Sequence, residues 1–362
     1  MTKARTNASA SPAVGRNMVI NGAMNVAQRS ASVTGIGASS GYVGPIDRFV
    51  LAGGNTAGRL TMSQTADGPN GISANCLKLD CTTADTSIAA AETLNIQHRF
   101  EGQNLQRIGK GKVGAQQITL SFYVKASAAF TFGCELYDND NARQITKLYN
   151  TTTDWVRHEI TFPADVDDGS SPFDDDNAIS LYLLFWLHAG SNFTSGTLNS
   201  SSWANQTSAN RAAGIDSFFS STDNNFFITG VQMEVGPVAT EFEQEDIGTT
   251  LSKCQRYYYE HAAGANKIIS NAAAYTSSSA YGEVNFPTAM RAAPGLVVND
   301  IGNGYTFYKN GASDPINDFT LQGATTTAGQ LLNESDVSAT VGHAGFFWTV
   351  DANCLVAFQA EL

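Results

Sequence analysis

Charged residues are scarce in this chain of 362 residues, because Asp, Glu, Lys and Arg together make up 15% of it, where soluble domains average roughly a quarter. Basic residues are the rarer kind: 21 Lys and Arg against 33 Asp and Glu leave a formal net charge of −12. Nucleic-acid binding needs clustered Lys and Arg to displace counterions from phosphates, so no nucleic-acid partner is expected. Apolar residues reach 42%, which supplies a core and leaves a surface built largely from Ser, Thr, Asn, Gln and Gly.

Long apolar runs are also missing. The longest, ISLYLLFWLHAG around Leu183, has the length of a buried strand and is too short to span a bilayer, so no membrane insertion is expected. The N-terminal sequence MTKARTNASASPAVGRN has no apolar segment of the kind found in secretory signals. A polar, weakly charged surface without such a signal suits a protein that leaves the cell by lysis, inside a virus particle.

The cysteines are few and scattered, with no metal-ligand or CxxC spacing. A chain folded in a reducing cytoplasm is expected to keep them as free, mostly buried thiols. Only Cys76 and Cys81 lie close enough in sequence to pair across a short turn, and that alternative is left to the geometry. The five positions are Cys76, Cys81, Cys134, Cys254 and Cys354.

Runs of strand length fill the chain up to Gly236, among them QQITLSFYVKAS, WVRHEITFPA and NFFITGVQMEVG. Turn clusters of Gly, Asn, Asp and Ser separate them without a helical period, which predicts an all-β fold with an antiparallel sandwich. MVINGAM near the start is expected to begin a strand, and HRFEGQNLQRI and TSANRAAGIDSFF are each expected to hold a helical turn. The predicted parts are an arm over residues 1–16, a sandwich over 17–245, a linking helix over 246–260 and a smaller β-sandwich over 261–362.

The change of character around DIGTTLSKCQRYYYE predicts a domain junction. Leu251, Cys254 and Tyr258 stand at i, i+3 and i+7, which favours a short amphipathic helix with Asp246 or Thr249 at its N-cap. A helix this short is unstable unless its apolar face is packed. These three residues and Phe242 are therefore expected to be buried and to join the two sandwiches into one rigid unit.

No constellation of catalytic or metal-binding residues stands out. Asp165, Asp167 and Asp168 lie in Gly- and Pro-rich text that favours a solvated or cation-binding loop over a catalytic pair, although no EF-hand pattern is present. The histidines lack HExxH spacing, and GxSxG and phosphate-loop patterns are absent from the sequence. We therefore expect neither an enzyme nor a metal or other cofactor, and we expect a binding or structural role.

Glycan recognition calls for aromatic rings against sugar C–H groups, with amides and carboxylates beside them on loops. HAGSNFTSGTLNSSSWANQ places Phe193 and Trp203 among Asn and Ser, and GHAGFFWTV contributes Trp348. These three residues are the candidate glycan-binding side chains. The alternative is that they are core or trimer-interface residues, and FFWTV in particular has strand character.

Four motifs give the chain a resemblance to a known family. NMVINGAMNVAQRS followed by DRF, then ITGVQMEVGPVATEFEQ, LSKCQRYYYE and VNFPTAMRAAPGL occur in this order between Asn17 and Leu296. Together they resemble tail-fibre and receptor-binding proteins of tailed bacteriophages. Fibres of that group often carry a long N-terminal shaft, whereas here the first motif follows a short arm.

The resemblance implies a jelly roll like that of carbohydrate-binding modules in the first domain and a β-rich tip domain after it. It also implies a homotrimer on the phage tail, docked to a tail or baseplate protein through the arm and adhering to host cell-surface polysaccharide. Such a protein is assembled in the host cytoplasm and resides in the virion. The alternatives are a glycan-degrading tailspike and a capsid decoration protein; no short repeats of the kind that build a parallel β-helix are visible.

Overall fold

The computed structural model describes residues 15–37, 42–166, 172–299 and 301–362. The chain divides into two compact units: the first ends at Ile247 and also includes Leu362, and the second comprises Gly248–Glu361. Antiparallel strands dominate both units, so the expectation of an all-β fold is confirmed. Residues 1–14, which make up most of the predicted arm, lie outside the described residues.

The first unit is an antiparallel β-sandwich. Its six-stranded sheet has the order β1-β4-β5-β13-β7-β10 and its seven-stranded sheet the order β12-β9-β8-β11-β6-β3-β2. The chain passes from one sheet to the other between β5 and β6, β6 and β7, and β7 and β8, as in a jelly roll. The strands are β1 (Ser32–Ile36), β2 (Tyr42–Val43), β3 (Phe49–Gly54), β4 (Arg59–Thr65), β5 (Cys76–Thr83), β6 (Thr93–Glu101), β7 (Ile118–Ala126), β8 (Thr131–Asp138), β9 (Arg143–Asn150), β10 (Val156–Phe162), β11 (Ile179–Ala189), β12 (Ala204–Asn205) and β13 (Asn225–Val235).

Strand β11 is covered on both of its faces, which explains why its sequence is apolar throughout. Leu181, Leu183, Phe185 and Leu187 face the core between the sheets, because side chains alternate between the two faces of a strand. The intervening side chains, among them Trp186, form a separate cluster on the outer face, where a loop covers part of the sheet. A strand covered on both faces therefore reads as a continuous apolar run.

Short helical turns connect these strands. The two segments predicted to hold such turns do so, and this prediction is confirmed. The turns are the 3-10 helices Gly102–Asn104, Gln106–Ile108, Ser208–Asn210 and Phe218–Ser220, and the single-turn helix α1 (Ser191–Thr194).

The prediction of a strand at MVINGAM is wrong: residues 17–28 form turns and extended chain outside the sheets. The side-chain oxygen of Asn21, at φ 61°, accepts the backbone N–H groups of Asn25 and Val26 and so replaces a strand ladder. A Cβ on Gly22 would lie 2.0 Å from the carbonyl oxygen of Val231, so only glycine allows this approach. The segment packs Met18, Val19 and Met24 into the core of the sandwich.

The second unit begins with helix α2 (Ile247–Gln255) and contains two antiparallel sheets around its own core. The smaller sheet has the order β14-β23-β17, and the larger has the order β19-β18-β22-β15-β16-β21-β20. The predicted second sandwich is therefore present. Its strands are β14 (Tyr258–Ala263), β15 (Ile268–Ala274), β16 (Ala280–Asn285), β17 (Gly295–Val298), β18 (Tyr305–Lys309), β19 (Ala312–Ile316), β20 (Thr320–Gln322), β21 (Ala328–Asn333), β22 (Ala344–Thr349) and β23 (Leu355–Gln359).

The helix at the junction is shorter than the predicted 246–260. It ends at Gln255, and Tyr258 begins β14, where it pairs with Gln359. Tyr258 therefore does not share a helix face with Leu251 and Cys254. Cys254 and Tyr258 are buried at 1% and 2% exposure, whereas Phe242 and Leu251 are only half-buried. Rigid coupling of the two sandwiches stays a prediction.

All five cysteines are free and buried, which agrees with folding in a reducing compartment. The alternative pairing of Cys76 with Cys81 fails because both lie in β5 with no turn between them. Five residues of extended strand separate two Cα atoms by roughly 16 Å, and a disulfide requires less than about 7 Å.

Burial lowers the pKa values of several histidines. His98 lies between the rings of Phe49 and Phe100, at centroid distances of 5.1 and 4.7 Å, and its Nε2 accepts the N–H of Ile20 at 3.3 Å. Burial, followed by the nearby charge of Arg48, holds the pKa of His98 well below its usual value. Burial also lowers the pKa values of His158, His188 and, in the second unit, His261.

We expect the protein to lose stability as the pH falls below about 6.5, because the unfolded chain then binds protons that the folded chain excludes. Urea denaturation at about pH 7.5 and about pH 5 should give a lower midpoint at the acidic pH. The difference should be smaller in a His98→Gln variant, which lacks one of these groups. An equal difference in the variant and the wild type would contradict the assignment to His98.

Candidate functional site

A groove lies on the outer face of the seven-stranded sheet of the first unit. It has a volume of about 360 Å³ and is formed by β6, β8 and β11, which are neighbours in this sheet, and by the loop after β11. The residues along it are Ala52, Gly53, Thr93, Asn95, Gln97, Arg99, Tyr137, Asn139, Tyr182, Leu184, Trp186, Phe193 and Arg211.

Aromatic rings form one part of the groove. Tyr137 on β8 and Tyr182 on β11 are cross-strand partners, and their ring centroids lie 5.9 Å apart. Phe193, on helix α1, lies with its ring centroid 5.6 Å from that of Trp186. Trp186 is 2% exposed, whereas the other three rings are half-buried and so present part of their surface to the groove.

A row of polar side chains runs along β6 beside the rings. Asn95, Gln97 and Arg99 occupy alternate positions, and the residues between them face the core. The side chain of Gln97 donates to the Asn95 carbonyl oxygen at 2.8 Å and accepts from Arg99 Nε at 3.2 Å. Arg99 also donates to the backbone carbonyl of Leu362, and its guanidinium carbon lies 5.7 Å from the ring centroid of Tyr182.

A buried carboxylate on the same face of the sheet holds two of the groove-lining side chains. Glu135 is fully buried and accepts the indole N–H of Trp186 at 2.7 Å. The same carboxylate accepts from Arg211 Nε at 2.9 Å and from its terminal nitrogen at 3.0 Å. The guanidinium carbon of Arg211 in turn lies 4.8 Å from the ring centroid of Tyr137 and 5.2 Å from that of Trp186. Glu135 thus fixes the cation that orders two of the rings.

The three sequence-predicted glycan residues lie in three different places. Phe193 lines the groove. Trp203 is 8% exposed within the main core, and its indole N–H donates to the Pro163 carbonyl at 2.8 Å; its assignment to a sugar-binding loop is therefore corrected to a core position. Trp348 is half-buried in the second unit, on the outer face of β22.

Sequence reasoning missed Tyr137, Tyr182 and the polar row of β6. Tyr182 and Trp186 stand in an apolar run that reads as core, and Gln97 and Arg99 stand in an ordinary alternating strand. The alternation of β6 is the one local signal that could have assigned Gln97 and Arg99 to the outer face of the sheet. Their proximity to residues 137 and 182 depends on the order β8-β11-β6, which no local pattern reveals.

The expectation of a solvated or cation-binding loop at Asp165 is wrong. Its side chain is 3% exposed, and the carboxylate accepts two hydrogen bonds of 2.8 Å from Arg143. Lys110 Nζ lies 3.7 Å from Asp165 Oδ2 and 2.6 Å from Asp138 Oδ2. These four residues form a buried ion network, so Asp165 has a structural role. Asp167 and Asp168 lie outside the described residues.

A metal-binding cluster and a membrane-spanning helix are both absent from the described residues. Across residues 15–37, 42–166, 172–299 and 301–362, no cluster of three or more His, Cys, Asp or Glu side chains has a geometry suited to a metal ion. Within the same ranges, neither helix has the length and apolar character needed to cross a membrane.

Comparison with known proteins gives remote structural similarity only. No family model and no curated protein matches the chain. A structure described as "CBM4 structure and function" is 10% identical, with a TM-score of 0.31, over 60% of this chain and 99% of that one. The family 11 carbohydrate-binding module from Clostridium thermocellum, in complex with a β-1,3-1,4-mixed-linked tetrasaccharide, is 11% identical over 56% of this chain and 100% of that one (TM-score 0.28).

A third similar structure is the enzymatically active domain of tailspike protein 4 from bacteriophage CBA120. It is 11% identical over 61% of this chain and 21% of that one, with a TM-score of 0.32. Because the sequence identities and TM-scores are this low, the three similar structures give no evidence for the function of this chain.

Proposed function

We propose that the chain binds glycans without cleaving them, through the groove of its first unit. The observation that carries the proposal is the pairing of three partly exposed rings with a parallel row of planar polar side chains. Sugar C–H faces pack on aromatic rings, and sugar hydroxyls exchange hydrogen bonds with amide and guanidinium groups. The groove offers both chemistries, because Tyr137, Tyr182 and Phe193 lie beside Gln97 and Arg99, whose side chains are half-buried.

The carboxylates near the groove favour binding over hydrolysis. Glycosidases use two carboxyl groups that face the bond from opposite sides, and the groove-lining residues, all within the described ranges, include no Asp or Glu. Glu135 is fully buried next to two groove-lining residues, and its oxygens accept hydrogen bonds from Trp186 and Arg211. This arrangement supports the binding proposal over the alternative of a glycan-degrading tailspike.

The finer proposal is a phage tail fibre or receptor-binding protein that adheres to host-surface polysaccharide. It rests on the four motifs quoted above. Two of these motifs are in contact, because the side chain of Asn17 in the first motif forms hydrogen bonds with the backbone of Val231 and Met233 in the second. A homotrimer docked on the tail through residues 1–16 would present three grooves to one surface. Weak sites linked in this way bind with an avidity far above that of each site.

One experiment tests groove and assembly together. We expect the purified protein to have a mass of about three times the 38.4 kDa chain and to bind members of a bacterial glycan array. A Tyr182→Ala variant should lose one ring face of the groove and bind at least about tenfold more weakly, which corresponds to roughly 1.4 kcal/mol. The matched control is Tyr275→Ala, because Tyr275 is 69% exposed and lies in the second unit.

Four results would count against parts of the proposal. If no array glycan is bound, the proposal of glycan binding is refuted. If the Tyr182→Ala and Tyr275→Ala variants bind equally well, the groove is refuted as the binding site. Shortening of a bound glycan during incubation would instead support the tailspike alternative. A measured mass of one or two chains would refute only the proposed trimer.

A further inference from the structure

A second aromatic surface occurs in the second unit, on the outer face of its seven-stranded sheet. Phe346 and Trp348 alternate on β22 with Phe347, which is fully buried in the core. Tyr308 on β18 is the cross-strand partner of Phe346 and is 39% exposed. The centroids of Tyr308 and Phe346 lie 5.3 Å apart and those of Phe346 and Trp348 lie 5.5 Å apart, so the three rings form a row.

The row ends at a cleft with polar walls. The cleft has a volume of about 660 Å³ and is lined by Glu260, His261, Ala262, Ala263, Asn266, Lys267, Ile268 and Trp348. Trp348 is the cross-strand partner of Ile268, so its indole lies where the turn before β15 meets β22.

Local hydrogen bonds give the cleft a defined shape. Asn266 has φ 61°, which turns the chain from β14 into β15. The backbone of Lys267 is held against β22, because its N–H donates to Thr349 Oγ1 at 2.8 Å and its carbonyl accepts the Thr349 N–H at 2.9 Å. His261 forms hydrogen bonds to the Ile269 carbonyl at 2.6 Å and the Tyr259 hydroxyl at 3.0 Å, and therefore has a structural role.

We propose that this cleft and ring row form a second saccharide-binding site, which takes a pyranoside segment of a polysaccharide. Trp348 and Phe346 would supply the apolar faces for sugar C–H groups, and Glu260, Asn266 and Lys267 would supply acceptors and donors for sugar hydroxyls. The proposal uses residues of the second unit only and does not depend on the groove of the first.

The polar lining favours a sugar over a second copy of the chain. Cores of protein interfaces are depleted in Lys and Glu, whereas this cleft places Lys267 and Glu260 beside an indole ring. Lys267 is exposed, and burying its ammonium group against protein would require a charged partner. A bound sugar leaves such charged groups partly hydrated. Its hydroxyls can donate hydrogen bonds to a carboxylate and accept them from an ammonium group. A concave cleft lined by an aromatic ring and hydrogen-bonding groups therefore fits a saccharide better than a flat protein face.

The test uses the full-length chain on the same bacterial glycan array, in four forms: wild type, Tyr182→Ala, Trp348→Ala and the double variant. We expect Trp348→Ala to weaken binding to a subset of glycans at least about tenfold and the double variant to lose more than either single variant. Lys267→Met, at an exposed position where folding is not at risk, should weaken the same subset. Trp155→Ala is the matched control, because Trp155 is another half-buried indole and lies in the first unit.

The outcomes separate this inference from the groove. If the Trp348→Ala and Lys267→Met variants bind every glycan as the Trp155→Ala variant does, the second site is overturned and the groove is unaffected. If binding survives in Tyr182→Ala and is lost in Trp348→Ala, the second site stands and the groove fails. A lower molecular mass of the Trp348→Ala variant in mass photometry would show that another copy covers this face, which also overturns the site.

Discussion

Replacing Glu135 by Gln is expected to weaken the fold and the groove together. The carboxylate is fully buried and neutralises Arg211, whose side chain is 15% exposed. Removing one partner of a buried ion pair leaves the other charge uncompensated, at a cost of about 3 kcal/mol. Because Arg211 also packs on Tyr137 and Trp186, we expect glycan binding to fall at least about tenfold as well. Urea denaturation and the glycan array measure the two effects.

The control for Glu135→Gln is Glu159→Gln. Glu159 pairs with Arg157 on the surface, and its side chain is 50% exposed. Exposed pairs contribute less than about 1 kcal/mol, so this variant should unfold nearly as the wild type does. If the two variants had equal urea midpoints, the supporting role of Glu135 would be refuted. An Arg211→Gln change added to Glu135→Gln should restore part of the lost stability, since it removes the unpaired cation.

Replacing Lys110 by Met is expected to cause the largest loss of stability of any change discussed, about 4 kcal/mol. Lys110 is 1% exposed and serves two carboxylates, Asp138 at 2.6 Å and Asp165 at 3.7 Å. Without it the network holds two buried carboxylates and a single cation, Arg143. Urea denaturation of the full-length chain is the measurement, followed by tryptophan fluorescence, to which three of the four tryptophans contribute from the first unit.

A double variant tests whether the unpaired charge is the cause. Adding Asp138→Leu to Lys110→Met removes the nearest carboxylate, and apolar replacement of a whole buried pair is often close to neutral. We therefore expect the double variant to recover most of the loss. Lys78→Met serves as the control, because its pair with Asp80 is exposed at 27% and 47%. A double variant less stable than Lys110→Met would point instead to lost packing.

The strands and the domain order could be predicted from the sequence because each depends on local patterns. QQITLSFYVKAS and NFFITGVQMEVG carry apolar residues at alternate positions, and both form strands, β7 and β13, whose alternate apolar side chains face the core. The Gly236-Pro237 break ends β13 at Val235, as a residue pair without strand geometry should.

The site could not be predicted in the same way, because it depends on contacts between distant residues. Tyr137 and Tyr182 meet only when β8 pairs with β11. Trp203 lies in loop sequence rich in Ser and Asn, yet its indole reaches the core because Pro163 offers a carbonyl for the N–H. The apolar residues of 17–28 suggested a strand, and tertiary hydrogen bonds of Asn17 and Asn21 prevailed over that local preference.

The attachment of Asn17 and Met18 to β13 has a mechanical consequence. The side chain of Asn17 donates to the Val231 carbonyl at 3.2 Å and accepts the Met233 N–H at 3.1 Å, and the Met18 N–H donates to the Met233 carbonyl at 2.9 Å. β13 lies inside its sheet between β5 and β7. A tensile force applied to the chain at Gly15 therefore acts on an interior strand and is shared with both neighbouring strands. A force applied to the edge strand β1 would instead break the hydrogen bonds of the sheet one at a time.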